Sequence, residues 1–106
     1  NRDETGFFVG FISVLASILI ISTDLYSNFQ KQKSLADEKI KVLNEIAFWQ
    51  GEVKVRPDYR DAYLKLALLN FQLKNFEQSR RNLDKSLELD PNFKEGRELE
   101  KLLSNF

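Results

Sequence analysis

The charged side chains are the first candidates for chemistry in this chain, and their spacing is that of solvated helix faces. Glu95, Glu98 and Glu100 alternate with basic residues, and Arg80 is followed directly by Arg81. Opposite charges three or four positions apart stabilise a helix by a few tenths of a kcal/mol each. A catalytic carboxylate pair and a phosphate-binding arginine pair are the alternatives. We expect surface ion pairs and no catalytic residue.

The residue types that most often carry catalysis and metal binding are missing. The 106 residues include no His and no Cys, which removes the commonest general base near neutral pH and every thiolate ligand. No Gly-rich phosphate loop or Ser-centred nucleophile turn occurs. Sixteen basic residues balance sixteen acidic ones without a block of like charge. The sequence therefore predicts no enzyme, no cofactor or metal site, and no nucleic-acid partner.

The stretch from Thr5 to Thr23 is the most unusual part of the sequence, because its nineteen residues carry no charge. As a helix rising ~1.5 Å per residue it would be ~28 Å long, close to the thickness of a bilayer's hydrocarbon core. It is longer than a signal-peptide core, and no cleavage site follows it. We predict a transmembrane or assembly-core helix over residues 1–23. The side chains expected to be buried there are Phe7, Phe8, Phe11, Ile12, Leu15, Ile18 and Leu19.

Small residues recur along this stretch at helical spacing. Gly6, Gly10, Ser13 and Ser17 follow one another at intervals of 4, 3 and 4, which places them on one face of a helix. A small residue at every fourth position lets two helix backbones approach closely. This face is therefore the predicted helix–helix assembly surface.

The rest of the chain reads as helical, so the predicted fold class is all-α. No Pro or Gly lies between residues 24 and 50, and apolar residues recur at helical spacing. The first part forms either one long helix or two helices separated near residues 31–38. The expected elements are a helical linker over 24–38, a helix over 39–55, a hairpin of helices 58–73 and 76–89, and a capping helix over 93–104.

The segment Arg60–Asn92 resembles a tetratricopeptide repeat over the full 34-residue unit of that family. "KSLELDPN" is close to the family's closing phrase, and Pro57 precedes Pro91 by the same period. Two buried small sites hold Ser instead of Ala, Asn70 stands where Tyr is usual, and Lys74 stands where Gly is usual. The resemblance implies a repeat core made of Tyr63, Leu66, Ala67, Ser79, Leu83, Ser86 and Pro91.

The resemblance also implies a surface for a partner, because the first helix of each repeat usually lines a concave binding face. The equivalent positions here are Asp61, Leu64, Leu68, Phe71 and Gln72. The favoured interpretation is that Leu64, Leu68 and Phe71 pack on the chain's own helix 39–55, and the alternative is contact with a partner or a sister subunit. About one and a half repeats are present in residues 39–106, fewer than the three usually needed for independent stability.

Two functions fit this plan. A hydrophobic helix that leads into a small head resembles the architecture of type IV pilins, and "RDETGFFVGF" resembles their processing region, although Phe11 stands where a glutamate is usual. The favoured hypothesis is a non-enzymatic subunit that self-assembles into a homo-oligomer or helical polymer, membrane-bound before assembly and then in a cell-surface or extracellular filament. The alternative is a single-pass, membrane-anchored repeat protein that recruits a protein partner.

Overall fold

The computed structural model describes the backbone of residues 2–106 and the side chains of residues 12–106. This part of the chain forms four helices and no strand: α1 (Arg2–Val55), α2 (Arg60–Gln72), α3 (Phe76–Leu89) and α4 (Lys94–Leu103). The prediction of an all-α fold that begins with a long N-terminal helix is confirmed. The predicted helix boundaries agree with the observed ones to within two residues for α2, α3 and α4.

The chain divides into two compact units, Asn1–Asp37 and Glu38–Phe106. We call the first the anchor unit and the second the head. The anchor unit consists of the N-terminal part of α1, whose described apolar side chains are all exposed. The head contains the remainder of α1 together with α2, α3 and α4, and it has a hydrophobic core of its own.

Of the two readings of the first part of the chain, one long helix is the observed one. Residues 31–38 are helical, and α1 continues through Gly51 to Val55. The sequence "KQKSLADE" is rich in residues of high helix propensity and contains neither Pro nor Gly, so nothing in it interrupts the backbone hydrogen bonds. The helix ends just before Arg56, whose position ahead of Pro57 disfavours the α conformation.

The turn between α2 and α3 is a Schellman motif in which a lysine takes the position usually held by glycine. The amide of Asn75 donates to the Asn70 carbonyl at 2.9 Å, and the amide of Lys74 donates to the Phe71 carbonyl at 2.9 Å. Lys74 has a φ of 62°, in the left-handed region that Gly adopts without a steric cost. The turn expected between the two helices of the predicted hairpin is therefore present, and it holds a strained lysine.

Helix α2 lies between two clusters of buried side chains. On one side Leu66 and Leu69 contact Val42 and Ile46 of α1. On the other, Ala67 packs with Leu83 and Leu87 of α3, with Phe93 just before α4, and with Leu99 and Leu103 of α4.

This arrangement shows that the favoured interpretation of Leu64, Leu68 and Phe71 as contacts of helix 39–55 is wrong. Leu64 and Phe71 pack against the cluster that contains α3 and α4, and not on helix α1, while Leu68 is 43% exposed. Leucines at positions 64, 66, 68 and 69 surround α2, so spacing alone did not identify the face that meets α1.

Helix α4 packs closely on α3 because Gly96 has no side chain. A Cβ added at Gly96 would lie 2.9 Å from Leu87 Cδ2 and 3.4 Å from Phe93 Cδ2. Gly51, in contrast, has no atom within 4 Å of the position that a Cβ would occupy. The close approach at Gly96 positions Phe93, the first residue before α4, at the side of α2.

Candidate docking groove on the head

A groove of about 590 Å³ opens between the N-terminal half of α2 and the start of α4. This volume falls within the range of ~300–1,000 Å³ that is usual for ligand pockets. Helix α2 contributes Arg60, Asp61, Leu64, Lys65 and Leu68 to its walls, and the segment that leads into α4 contributes Asp90, Asn92, Phe93, Lys94 and Glu95.

Arg60 is held in place at this groove by contacts with three other residues. Its Nη1 donates to Asp90 Oδ2 at 2.6 Å, and its Nε donates to Asp61 Oδ1 at 3.1 Å. The guanidinium carbon lies 3.8 Å from the centroid of the Phe93 ring, a cation–π geometry. Hydrogen bonds to Asp90 and then to Asp61 raise the pKa of Arg60 above its ordinary value. Arg60 therefore remains charged, with its donors directed at carboxylates of the protein itself.

The remaining charges of the groove are not used within the head. Lys65, Lys94 and Glu95 are exposed, and among the described residues none of the three takes part in a salt bridge. Leu64 is half-buried beside them, and Leu68 is largely uncovered. The groove thus combines an apolar wall with two unneutralised ammonium groups and one carboxylate.

The predicted contact face is only partly brought together. Asp61, Leu64 and Leu68 line the groove. Phe71 instead belongs to an aromatic group, with its ring centroid 5.5 Å from that of Phe76 and 5.7 Å from that of Phe106. Gln72 is exposed at the last residue of α2.

Sequence reasoning missed the second wall of the groove. The sequence predicts Phe93 at the start of the capping helix 93–104 and Asp90 in the closing phrase of the repeat, and it assigns Arg60 no role. The pairing of Arg60 with Asp90 spans 30 positions and has no periodic signal. The phrase "ELDPN" did indicate the end of a helix. In a helical hairpin the end of the second helix lies near the start of the first, and this proximity is the signal that could have indicated the second wall.

The buried polar groups of the predicted repeat core are all hydrogen-bonded. Ser79 Oγ donates to the Ala67 carbonyl at 2.7 Å, and Ser86 Oγ donates to the Arg60 carbonyl at 3.1 Å. Asn70 Nδ2 donates to the Leu66 carbonyl at 2.8 Å. The partner that a Ser hydroxyl needs at a close helix crossing is thus a backbone carbonyl of α2. Of the other predicted core residues, Leu66, Ala67 and Leu83 are buried, Tyr63 is half-buried, and Pro91 is exposed.

The two neighbouring arginines of α3 are both engaged within the head. Arg80 Nη2 donates to the Leu103 carbonyl at 3.1 Å and also to the Phe106 carbonyl, so it ties α3 to the end of α4. Arg81 Nη2 lies 2.5 Å from Glu77 Oε1, one helical turn away. Arg97 pairs with Glu100 in the same manner at 3.0 Å. The Arg81–Glu77 and Arg97–Glu100 contacts agree with the interpretation of these charges as surface ion pairs. Arg80 binds backbone carbonyls instead, and Glu95 and Glu98 take part in no salt bridge among the described residues.

The apolar part of helix α1 lies in the anchor unit. Helix α1 is long and apolar enough to cross a membrane by length and composition, as the predicted localisation requires, although signal sequences pass the same test. Ser17 Oγ donates to the Ser13 carbonyl at 3.1 Å, and Thr23 Oγ1 donates to the Leu19 carbonyl at 2.9 Å. Both hydroxyls are therefore satisfied within their own helix.

Two groups of predicted residues in the anchor unit have different outcomes. Ile12, Leu15, Ile18 and Leu19 are exposed, as are Ser13 and Ser17. Gly6, Gly10, Phe7, Phe8 and Phe11 lie outside the residues whose side chains the structure describes.

Comparison with known proteins adds no relative. No family model, no curated protein and no solved structure matches the chain. The function is therefore inferred from the residues and contacts described above.

Proposed function

We propose that this chain is a non-enzymatic, membrane-anchored scaffold whose head docks a segment of a protein partner. The apolar half of α1 spans the membrane, and the segment binds in the groove between α2 and α4. One observation carries the proposal: the groove is pre-formed around Arg60, while Leu68, Lys65 and Lys94 beside it have no partner among the described residues.

The membrane part of the proposal is supported by exposure and by hydrogen bonding. Large apolar side chains such as Ile18, Leu19 and Ile20 are more than half exposed on a helix with no other element around it in its unit. Water strongly disfavours such a surface, whereas lipid accepts it. Two hydroxyls of this segment, those of Ser17 and Thr23, donate to carbonyls of their own helix, which lowers the cost of moving them into lipid.

The groove favours an extended segment that contains an apolar side chain and a carboxylate. Leu64 and Leu68 offer apolar contact, and Lys65 and Lys94 offer charge to an acidic group. The Arg60 side chain is already fixed by Asp90, so a partner does not have to order it on binding. Binding of a partner segment is also the role that the resemblance to a tetratricopeptide repeat implies for the first helix of a repeat.

A self-assembling subunit is the second candidate, and the uncovered apolar side chains of the anchor unit favour it as well. A polymer core built from these helices would bury Ile12, Leu15 and Leu19, which are all exposed in the single chain. The small-residue face supplies a contact for it, and Gly10→Leu should then weaken assembly. The head does not require neighbouring subunits for its core, because all members of its two buried clusters lie within residues 38–106. This is why we place docking first.

The docking proposal is tested by selecting peptides on the full-length chain held in phosphatidylcholine nanodiscs. Selected peptides should share an apolar residue next to Asp or Glu. Lys65→Glu should reduce their affinity at least about tenfold, since it replaces attraction by repulsion at a contact of ~1–2 kcal/mol. Lys41→Glu makes the same charge change on the exposed surface of α1, outside the groove, and should leave the affinity unchanged. Equal effects of the two variants would contradict the proposed groove.

A further inference from the structure

The exposed side of α1 carries an apolar stripe that neither the groove nor the small-residue face explains. In the anchor unit, apolar or small residues recur at alternating intervals of 3 and 4: Ile12, Leu15, Leu19, Ser22, Tyr26 and Phe29. All six side chains are exposed. Alternating intervals of 3 and 4 make a period of 3.5 residues, which is the period of a left-handed coiled coil.

The same spacing runs on without interruption in the sequence, through Lys33 and Ala36 to Ile40, Leu43 and Ala47. In the head, Ile40 is 56% exposed and Leu43 is 46% exposed. They lie on a side of α1 different from that of Val42 and Ile46, which are buried against α2. The head therefore uses one apolar side of α1 for its own core and leaves the other uncovered.

We infer that this stripe, which we call the heptad stripe, pairs with the same stripe of a second copy to form a parallel two-stranded coiled coil. The parallel orientation rests on the proposed function, because two copies inserted in one bilayer with the same topology point the same way. Lipid can cover the stripe only within the bilayer. The apolar positions beyond the uncharged segment, Ile40 and Leu43 among them, lie outside the bilayer, and a second copy would bury them.

The residue types favour two strands over larger assemblies. In two of the heptads Ile takes position a and Leu takes position d: Ile12 with Leu15, and Ile40 with Leu43. The other a positions hold Leu19, Tyr26, Lys33 and Ala47. Ile at a with Leu at d favours a parallel dimer. Lys33 also takes position a, and a single polar residue at a lowers the stability of a coiled coil while it fixes register and strand number.

The flanking positions are compatible with a parallel, in-register pair. Position g of one helix faces position e of the next heptad on the partner helix. In this register Gln32 faces Asp37, and Lys39 faces Asn44. Neither pair brings like charges together, and each can form a hydrogen bond between side chains.

Disulfide trapping tests the inference directly, because the natural chain contains no Cys. Full-length single-Cys variants are reconstituted in phosphatidylcholine vesicles and oxidised with copper phenanthroline. Ala36→Cys and Ala47→Cys occupy positions d and a, where the Cα atoms of a pair fall near the ~4.4–6.8 Å that a disulfide requires. Glu38→Cys and Glu45→Cys are the matched controls, since both are exposed and take the outward position f.

We expect both heptad variants to form dimers at least about tenfold faster than both controls, given the steep distance requirement of the bond. An antiparallel pair would allow self-crosslinking at no more than one of the two positions, so reaction at one position alone overturns the parallel arrangement. Equal rates at heptad and control positions, or no crosslinking at any, overturn the coiled coil. Extraction of the same vesicles with alkaline carbonate reports membrane insertion separately. Crosslinking of an extractable protein would refute the anchor and retain the coiled coil.

A second pair of variants covers the case in which a Cys disturbs packing. Ile40→Asp with Leu43→Asp should abolish the dimer seen by sedimentation in detergent. Val55→Asp changes a side chain that is 81% exposed but lies off the heptad stripe, and it should leave the dimer intact. Loss of the dimer in both proteins, or in neither, would contradict the inference.

Discussion

Arg60 and Asp90 join the first residue of α2 to the residue that ends α3, with Arg60 Nη1 2.6 Å from Asp90 Oδ2. The backbone carbonyl of the same Arg60 accepts a hydrogen bond from Ser86 of α3, and its guanidinium lies over Phe93 at the start of α4. One residue thus contacts the two helices that follow it. The shape of the groove depends on this residue, because its walls are the elements that Arg60 connects.

Asp90→Asn is expected to lower both the thermal midpoint of the head and the affinity for selected peptides. The change removes the charge of the carboxylate that contributes most to the raised pKa of Arg60. Because that pKa is raised, the Arg60 contribution is fully present below the ordinary arginine pKa and is lost only as the pH rises through the folded value. The drop in midpoint should therefore be similar at pH 6 and pH 9. Asp84→Asn, at a carboxylate outside the described salt bridges, should change neither quantity.

Lys74→Gly should stabilise the head by about 0.5–1 kcal/mol, because a left-handed conformation costs a side-chain-bearing residue roughly 1–2 kcal/mol and Gly loses part of that gain through its greater freedom when unfolded. The free energy of unfolding in urea measures the effect. Lys74→Ala removes the same charge and most of the side chain but keeps the Cβ. A gain in stability for Ala as large as that for Gly would show that backbone strain at φ 62° is not the cause.

Glycine removal should act differently at the two described helix positions. Gly51→Ala should stabilise the head by about 0.5–1 kcal/mol, the usual gain in helix propensity, because a Cβ there meets no atom. Gly96→Ala gains the same propensity but places its Cβ 2.9 Å from Leu87 Cδ2. We expect it to lack that stabilisation, or to destabilise, since overpacking a core costs roughly 1–3 kcal/mol. Equal gains at both sites in chemical denaturation would refute the close approach of α4.

The serine at the crossing of α2 and α3 should tolerate loss of its hydroxyl but not an increase in size. Ser79→Ala should change the free energy of unfolding by no more than about 1 kcal/mol, the net worth of a typical hydrogen bond. Ser79→Leu should destabilise by more than that, because the residue is completely buried and the extra volume must displace α2. A larger loss for Ala than for Leu would mean that the bond to the Ala67 carbonyl, not space, determines the residue at this crossing.

The helices of this protein could be predicted from the sequence because the residues that end them lie at or next to the helix ends. Pro57 and Pro91 mark the ends of α1 and α3. The long stretch without Pro or Gly made a continuous α1 one of two interpretations and did not decide between them. The turn at Lys74 could be located because helical patterns on both sides of it end there. The resemblance to a tetratricopeptide repeat stays a prediction, although the hydrogen bonds of Ser79 and Ser86 fit it.

The groove could be predicted only in part, and the reason lies in α2. Apolar residues occur all around this helix, so the sequence did not distinguish the side that meets α1 through Leu66 and Leu69 from the side that carries Leu64. The second wall depends on contacts between residues distant in sequence. Nothing in the local pattern of Arg60 indicates that Asp90 is its partner.

Docking at a membrane depends on the claim that the chain is anchored in the membrane. The most direct test is alkaline carbonate extraction of membranes from cells that express the full chain. We predict that the natural chain stays in the membrane pellet. Val14→Arg with Leu15→Arg should release it, since each Arg at the centre of a span costs roughly 2.5–3.5 kcal/mol on an insertion scale. Val55→Arg, which adds a charge in the head, should leave the chain in the pellet. A natural chain recovered in the supernatant, or a double variant retained as firmly as the natural chain, would contradict the account.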